Sequence, residues 1–365
     1  MYSIILILFV LSFLDQILFN IIFLTVSNKH FKKFNYQTVQ NPVSVIIAAK
    51  NEAENLKKFL PKILSQNYSN FEVIVVNDGS TDNTREVLEN FQHTHTNLLK
   101  VINIEKSNSK KNALTVGISS SSYEHLLFTD ADCEPASENW IATMCSKFSN
   151  SKKIILGYGA YQKEKTLLNA FINYDTYSIS IQYFTAAKLG FPYMGVGRNL
   201  AYTKTLWQQT NGFEKDMDIL SGDDDLFIAN AANSNNVEIS ANNESFTYSV
   251  PKKSFLDFIK QKSRHLTTSK RYSFINSFLS SAELISRSIF YCFAVLSLFF
   301  QKLLIFSIIL VIIRLILIYI INIPIRKKLN NKIPFHYFIL FDIFATLFYL
   351  IVFFYKTFIF NKKQW

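Results

Sequence analysis

At 365 residues the chain can hold one sizeable catalytic domain plus membrane segments, and 49% hydrophobic residues make it too apolar for an ordinary soluble enzyme. Its net charge of +11 sits in basic clusters beside apolar tracts and not on a recognition module, which argues against nucleic acid and for anionic lipid headgroups as the partner. The three cysteines, Cys133, Cys145 and Cys292, show no metal-ligand spacing and imply a reducing compartment without a disulfide framework.

From about Tyr2 to Val26 nearly every residue is apolar, and roughly 20 such residues cross a bilayer. The tract lacks the basic start and small-residue cleavage site of a signal peptide, so a retained anchor is expected. Asp15 in its middle is costly in lipid and is expected to face other helices or water; Arg314 in the third crossing has the same cost, and a pairing of the two is one solution. Lys29, Lys32 and Lys33 follow directly, which predicts a cytoplasmic exit.

Beyond this tract the pattern changes to strands alternating with helices. Val43–Ala48, Phe71–Val76, Leu99–Ile104 and His125–Thr129 read as strands. Between them run helical patterns through Leu56, Phe59, Leu60 and Ile63, through Val87, Leu88 and Phe91, and over Lys111–Ser119. Such alternation predicts an α/β domain with a largely parallel sheet covered on both faces. Polar clusters end three of the strands: Lys50-Asn51-Glu52, Asn77-Asp78 and Asp130-Ala131-Asp132. In open α/β sheets, ligands bind beyond the carboxyl ends of strands, so the three clusters define one candidate crevice. Taken singly, an Asp after a strand is often a turn or N-cap residue. The Gly-x-Gly-x-x-Gly dinucleotide pattern is not found, which counts against a nicotinamide or flavin enzyme.

Four constellations carry chemistry. Asp130 and Asp132 stand two apart on a strand-end loop, and in extended chain such positions point the same way. Two adjacent carboxylates repel unless a cation or proton lies between them, and Mg²⁺ takes one or two carboxylates plus substrate phosphates; the alternative is a surface pair capping the next helix. Ser221-Gly222-Asp223-Asp224-Asp225-Leu226 offers a carboxylate as proton acceptor for an attacking hydroxyl, or is merely a solvated acidic loop. Gly195-Val196-Gly197-Arg198-Asn199 combines glycines that let backbone approach a ligand with donors from Arg198 and Asn199. Residues 254–270 pattern as a basic amphipathic helix suited to a membrane surface, on which Gln261, Arg264 and His265 share a face.

The tract from about Ile285 to Phe360 is mostly apolar again and holds about three crossings, near Ser288–Phe300, Leu303–Ile321 and Tyr337–Tyr355. Arg326, Lys327, Lys328 and Lys332 lie between the last two. Two crossings separate them from Lys29, so both basic loops fall on the same, cytoplasmic side. Lys362 and Lys363 argue against an outside C-terminus, and a re-entrant or interfacial last segment would resolve this.

In this order the motifs resemble the inverting nucleotide-sugar glycosyltransferases of family 2, and more narrowly their membrane-integrated branch of cellulose, hyaluronan and chitin synthases and ceramide glucosyltransferase. The residues carrying the resemblance are Val43 to Glu52, Val76-Asn77-Asp78-Gly79-Ser80-Thr81-Asp82, Lys110-Lys111-Asn112-Ala113-Leu114, Asp130-Ala131-Asp132, Gly222-Asp223-Asp224 and Gln261-x-x-Arg264-His265. The resemblance implies a GT-A fold: an α/β, Rossmann-like catalytic domain with a mixed, mostly parallel sheet, flanked by transmembrane helices. The implied boundaries are a membrane helix over 1–27, the catalytic domain over 40–250, interfacial amphipathic helices over 251–284 and about three membrane helices over 285–360. It puts Ala48, Glu52, Asp78, Lys111 and Asp130 on the nucleotide and Asp132 with Asp130 on Mg²⁺ or Mn²⁺. Asp224 is implied as the catalytic base, with Asp223 as runner-up, and Arg198, Asn199, Gln261, Arg264 and His265 are turned to acceptor and diphosphate. His265 stands where the processive synthases of the family carry tryptophan. The expected function is metal-dependent, inverting transfer from a nucleotide-diphosphate sugar, with a lean to UDP, onto a lipid or glycan acceptor at the cytoplasmic face of the inner or plasma membrane. A processive polysaccharide synthase is the close alternative. A membrane nucleotidyltransferase, which would release pyrophosphate and leave Gln261 and Arg264 without a role, is the distant one.

Overall fold

The alternation expected from the sequence recurs in a computed structural model that describes residues 2–31, 41–106, 109–219 and 221–359; Lys32, Lys33, Lys362 and Lys363 lie outside the described residues. Helix α1 (Tyr2–His30) leads into β1 (Val43–Ala49), α2 (Ala53–Leu64), β2 (Phe71–Asp78), α3 (Thr84–Thr94), β3 (Leu99–Ile104), α4 (Lys110–Ser119) and β4 (His125–Phe128). Next come β5 (Cys133–Pro135), α5 (Trp140–Cys145), β6 (Ile154–Gly157), β7 (Gly159–Tyr161), α6 (Leu167–Lys188), β8 (Leu200–Thr203), α7 (Lys204–Gln209), α8 (Asp225–Ala231), β9 (Val237–Ser240) and β10 (Thr247–Ser249). The chain closes with α9 (Phe255–His265), α10 (Phe274–Ser297), α11 (Gln301–Lys328) and α12 (Phe335–Phe358).

One sheet has the order β3-β2-β1-β4-β8-β6-β9, and β5-β10-β7 form a second, small one. β1 to β4 are parallel, whereas β8 runs antiparallel to both β4 and β6. This is the mixed, mostly parallel GT-A arrangement. The near-continuous apolar run of β1 follows from cover on both faces. Val45 and Ile47 pack with Leu56, Leu60 and Ile63 of α2 on one side. Ile46 faces Leu114, Ile118 and Phe128 on the other. That second core continues through Phe171, Tyr174 and Tyr177 of α6 to Ile325, Phe338, Phe341 and Phe348, so the catalytic domain and the apolar helices share one packed interior.

Four helices, α1, α10, α11 and α12, are long and apolar enough to cross a membrane. α10 starts at Phe274, well before the apolar tract read from the sequence, because Ser273 caps it by accepting a hydrogen bond from the Asn276 amide. The serines of its first turns, which hide the apolar pattern, bond back onto the helix, as Ser281 does to the Ser277 carbonyl. The C-terminal ends of α1 and α11 meet: Lys328 donates to the Ser27 carbonyl at 2.9 Å and to Asn28 Oδ1 at 2.7 Å. Arg314 does not pair with Asp15. Wholly buried, it donates to Asp342 Oδ2 at 2.5 Å and to Gln16 Oε1 at 2.7 Å. The reason is helical facing: Gln16, one residue on from Asp15, is the one turned into the bundle, where it is fully buried. α12 lies against the catalytic domain, crossing α6 and then running beside α9: Phe348 stacks on Phe258, Ser263 bonds the Val352 carbonyl, and Lys356 bonds the Leu266 carbonyl.

Candidate active site

The parallel strands deliver their carboxyl ends to one edge. Ala49 pairs with Asn77 and Asp78 with Ile104, while Phe128 at the end of β4 pairs with Ile46. Ala48, Asp78 and Asp130 therefore leave the sheet at the same side. Asp78 ends β2 wholly buried. Asn51, held at a positive φ of 55°, ties the loops together, its Oδ1 accepting from the Thr81 amide at 2.8 Å. Glu52 faces the Asp130–Asp132 pair. Burial raises its pKa, the hydrogen bond from Asn55 lowers it, and both aspartates raise it further.

The centre of the cleft is Lys110, whose Nζ bridges Asp130 Oδ1 at 2.8 Å and Asp223 Oδ2 at 3.0 Å. This joins two distant acidic motifs through one ammonium. Burial would raise the Asp130 pKa, but Lys110, with Arg198 and Arg264 further off, holds it below the usual carboxylate value. Asp132 moves the other way: burial and the charge of Asp130 push it up. Oxygens of this pair and the Cys133 sulfur lie within 4.8 Å of one another. Cys133 is a protonated thiol, raised well above its usual pKa by burial, and it contacts Asp132 Oδ1 at 3.5 Å and Ser249 Oγ at 3.0 Å. The donors left for a cation are carboxylate oxygens, which fit Mg²⁺ or Mn²⁺.

The three consecutive aspartates have three different surroundings. Gly222, at φ +98°, turns the chain into α8; a Cβ there would lie 2.6 Å from Leu226. Asp225 is spent on structure, accepting from Thr268 at 2.6 Å and Tyr272 at 2.7 Å. Asp223 is paired with Lys110. Asp224 caps α8 and accepts two backbone amides, Gly197 and Asp225, each at 2.8 Å. Burial, then Asp223 and Asp225, push its pKa up to about 7. Asp224 thus has the environment of a proton acceptor that works near neutrality.

Asp130, Gly197, Arg198, Asp223, Asp224, Gln261, Arg264 and His265 line one cavity of about 150 Å³. Tyr161 organises its wall: its hydroxyl accepts from Arg198 Nη1 and Gln261 Nε2, both at 3.0 Å, and the guanidinium lies 4.5 Å over its ring. Gly159 makes room for this, since a Cβ there would meet Arg198 Nε at 2.5 Å. His265 keeps an exposed edge; desolvation on its cleft side, then the charges of Arg264, Lys262, Arg198 and Lys110, push its pKa down.

Ala48, Glu52, Asp78 and Asp132, at the strand ends, do not line this cavity, and two further expected residues turn their side chains elsewhere. Asn199 is fully buried, donating to the Tyr158 and Ser245 carbonyls and accepting from Trp140 Nε1, so its side chain is used up in the fold. Lys111 points away from the cleft, its buried Nζ on the carbonyls of Asp216 at 2.5 Å and Ile219 at 3.0 Å. Neighbours on a helix lie about 100° apart, and Lys110 takes the cleft position. The sequence reading missed Lys110, Tyr161 and Lys252, a cation acting on both Glu52 and Asp132.

A mixed sheet with carboxylates gathered at the parallel strand ends is the arrangement expected of a GT-A glycosyltransferase, and the family profiles identify the class. The profile of "Glycosyl transferase family 2" matches residues 44–197, and that of "Glycosyl transferase family group 2" matches residues 130–359, more than half of the chain. The chain belongs to glycosyl transferase family group 2. It is similar to the poly-beta-1,6-N-acetyl-D-glucosamine synthase of Staphylococcus epidermidis, 38% identical over 100 residues, which are 27% of this chain and 24% of that protein. It is also similar to glycosyltransferase AglE of Haloferax volcanii, 39% identical over 117 residues, 32% of this chain and 38% of that one. The match thus spans only about a quarter to two fifths of these relatives' length. In fold it resembles the mannosyltransferase PcManGT of Pyrobaculum calidifontis, solved with GDP-Man and Mn²⁺, at a TM-score of 0.60 and 15% identity, covering 94% of this chain and 99% of that one.

Proposed function

We propose that this glycosyltransferase moves a sugar from a nucleotide-diphosphate donor, a UDP-sugar first, onto a lipid or glycan acceptor at the cytoplasmic face of the membrane. The observation that carries this reading is Asp224, raised to about 7 in the cavity that also holds Asp130, Arg198 and Arg264. The acceptor hydroxyl gives its proton to Asp224 as its oxygen bonds to the anomeric carbon. The bond from that carbon to the diphosphate oxygen breaks, and its electron pair leaves with the nucleoside diphosphate. A single displacement of this kind inverts the anomeric centre. Arg264 and Lys110 face the negative charge that develops on the leaving group. Asp130 and Asp132 would hold Mg²⁺ or Mn²⁺, which when bound neutralises charge on the diphosphate. Ala48, Glu52 and Asp78 serve the base and ribose. The meeting of the α1 and α11 ends, through Lys328, supports basic flanks and catalytic domain on one side.

Calorimetry with UDP and Mn²⁺, beside an assay of nucleoside-diphosphate release over a donor panel, tests the assignment. Asp132→Ala is expected to lose metal-dependent UDP binding; Asp224→Asn is expected to keep binding and lose transfer. Full activity in either variant removes the role given to that residue. Processive synthesis is the second reading, favoured by the similarity to a polysaccharide synthase. A ladder of products would establish it, and a single added sugar would refute it.

A further inference from the structure

Outside the cleft a cavity of about 340 Å³ opens between the β7–α6 turn and the α11–α12 connection. It falls in the size range of small-ligand sites. Leu167, Ile333 and Tyr337 give it apolar wall, and Lys163, Lys165 and Lys332 give it charge. The one carboxylate in the wall, Glu164, pairs with Lys253 outside it, so the lysines are not neutralised from within. Lys163 and Lys332 are close enough to depress the Lys163 pKa, after the larger effect of burial. Two hydrogen bonds hold the mouth together: Lys163 to the Asn330 carbonyl at 3.1 Å and Asn330 Nδ2 to the Tyr248 hydroxyl at 3.2 Å. The connection follows directly on Arg326, Lys327 and Lys328 in the last turn of α11. If α11 crosses the bilayer, this is headgroup depth.

We propose that this cavity binds the phosphate headgroup of an anionic phospholipid, with Lys163, Lys165 and Lys332 around the phosphate and the glycerol and first acyl carbons against Leu167, Ile333 and Tyr337. The charge selects an anion over a neutral glycan, and the apolar wall beside α12 selects a lipid over free phosphate. The site is separate from the proposed reaction. Its link to the cleft is Tyr161, which lines both cavities and orients Arg198 and Gln261. A bound anionic lipid therefore braces the wall of the active site from behind.

The inference rests on the membrane placement above and not on the reaction, and the test keeps them apart. Full-length protein is placed in nanodiscs of phosphatidylcholine with a minor fraction of phosphatidylglycerol, and lipids retained on the released protein are counted by native mass spectrometry. The wild type is expected to retain phosphatidylglycerol preferentially. Lys163→Ala with Lys332→Ala is expected to lower that retention about 10- to 30-fold, with a cooperative unfolding transition retained. Lys57→Ala, on the exposed face of α2, is expected to retain lipid as the wild type does. Equal retention by the double variant, no preference for phosphatidylglycerol in the wild type, or displacement of the lipid by millimolar inorganic phosphate each overturns the proposal.

Discussion

At the scale of single residues, the cleft depends on how three neighbouring acids are told apart. Asp225 is held by two hydroxyls and Asp223 by Lys110, which leaves Asp224 with amides and a pKa pushed up to about 7. Proton acceptance needs the ionised form, so kcat/KM should rise with pH through about 7 and level off above it. Asp223→Asn removes a negative neighbour and should move that limb to lower pH. A limb that stays in place in the variant would separate it from Asp224. The two adjacent lysines make a second contrast. Lys110→Ala leaves Asp130 and Asp223 facing each other without a cation and is expected to lower kcat roughly 10²-fold with little change in unfolding temperature. Lys111→Met removes the amine that holds the Asp216 and Ile219 carbonyls and should cost about 1–3 kcal/mol of stability. The reverse pattern, activity lost at Lys111 with the unfolding temperature intact, would return the nucleotide-side role to Lys111.

At the scale of elements, β1 to β4 were legible because parallel strands buried on both faces are continuous apolar runs with polar residues only at their ends. The second half was not. β5, β7 and β10 are three residues each, too short for any periodicity, and they pair with strands distant in sequence. Tyr161 sits on one of them, which is why no sequence signal marked it. Motifs likewise gave addresses without directions: Arg198 enters the cleft while Asn199 turns into the core. α12 carries the clearest consequence. Its composition reads as a crossing, yet its start packs on Tyr319, in the C-terminal half of α11, and its last turns adjoin Leu266 and Ser269, just before α10 departs. The basic residues beyond Phe358 fit an interfacial helix better than a crossing one. A cysteine at Thr357, in a background without the native cysteines, should react with an impermeant maleimide from the side that bears the catalytic domain. Reaction only from the opposite side would make α12 a true crossing.

At the scale of the whole molecule, the catalytic domain and the apolar helices are joined by charge as well as by packing. Asp342 of α12 accepts from Arg314 of α11 and from the Tyr291 hydroxyl of α10, each at 2.5 Å. Its other oxygen lies 3.5 Å from Arg287 Nη1 and 3.4 Å from the Tyr174 hydroxyl of α6. One carboxylate thus connects three apolar helices to the long helix that backs the active site. Glu283 serves Arg287 as well, but Arg314 has Asp342 as its one ion-pair partner among the described residues. Removing that carboxylate leaves a buried guanidinium uncompensated, whereas removing the pair leaves an apolar contact. Asp342→Asn should therefore cost about 3–5 kcal/mol in detergent-solubilised protein, read as a lower unfolding temperature. Arg314→Met combined with Asp342→Leu should recover much of that loss on the α11 side, with Arg287 still held by Glu283 and Tyr174. Because α6 is tied into the same network, the single variant should also weaken UDP binding although it lies outside the cleft. If the double variant is as unstable as the single one, the contribution of Asp342 is to Arg287 and α6, and the bond to Arg314 is incidental.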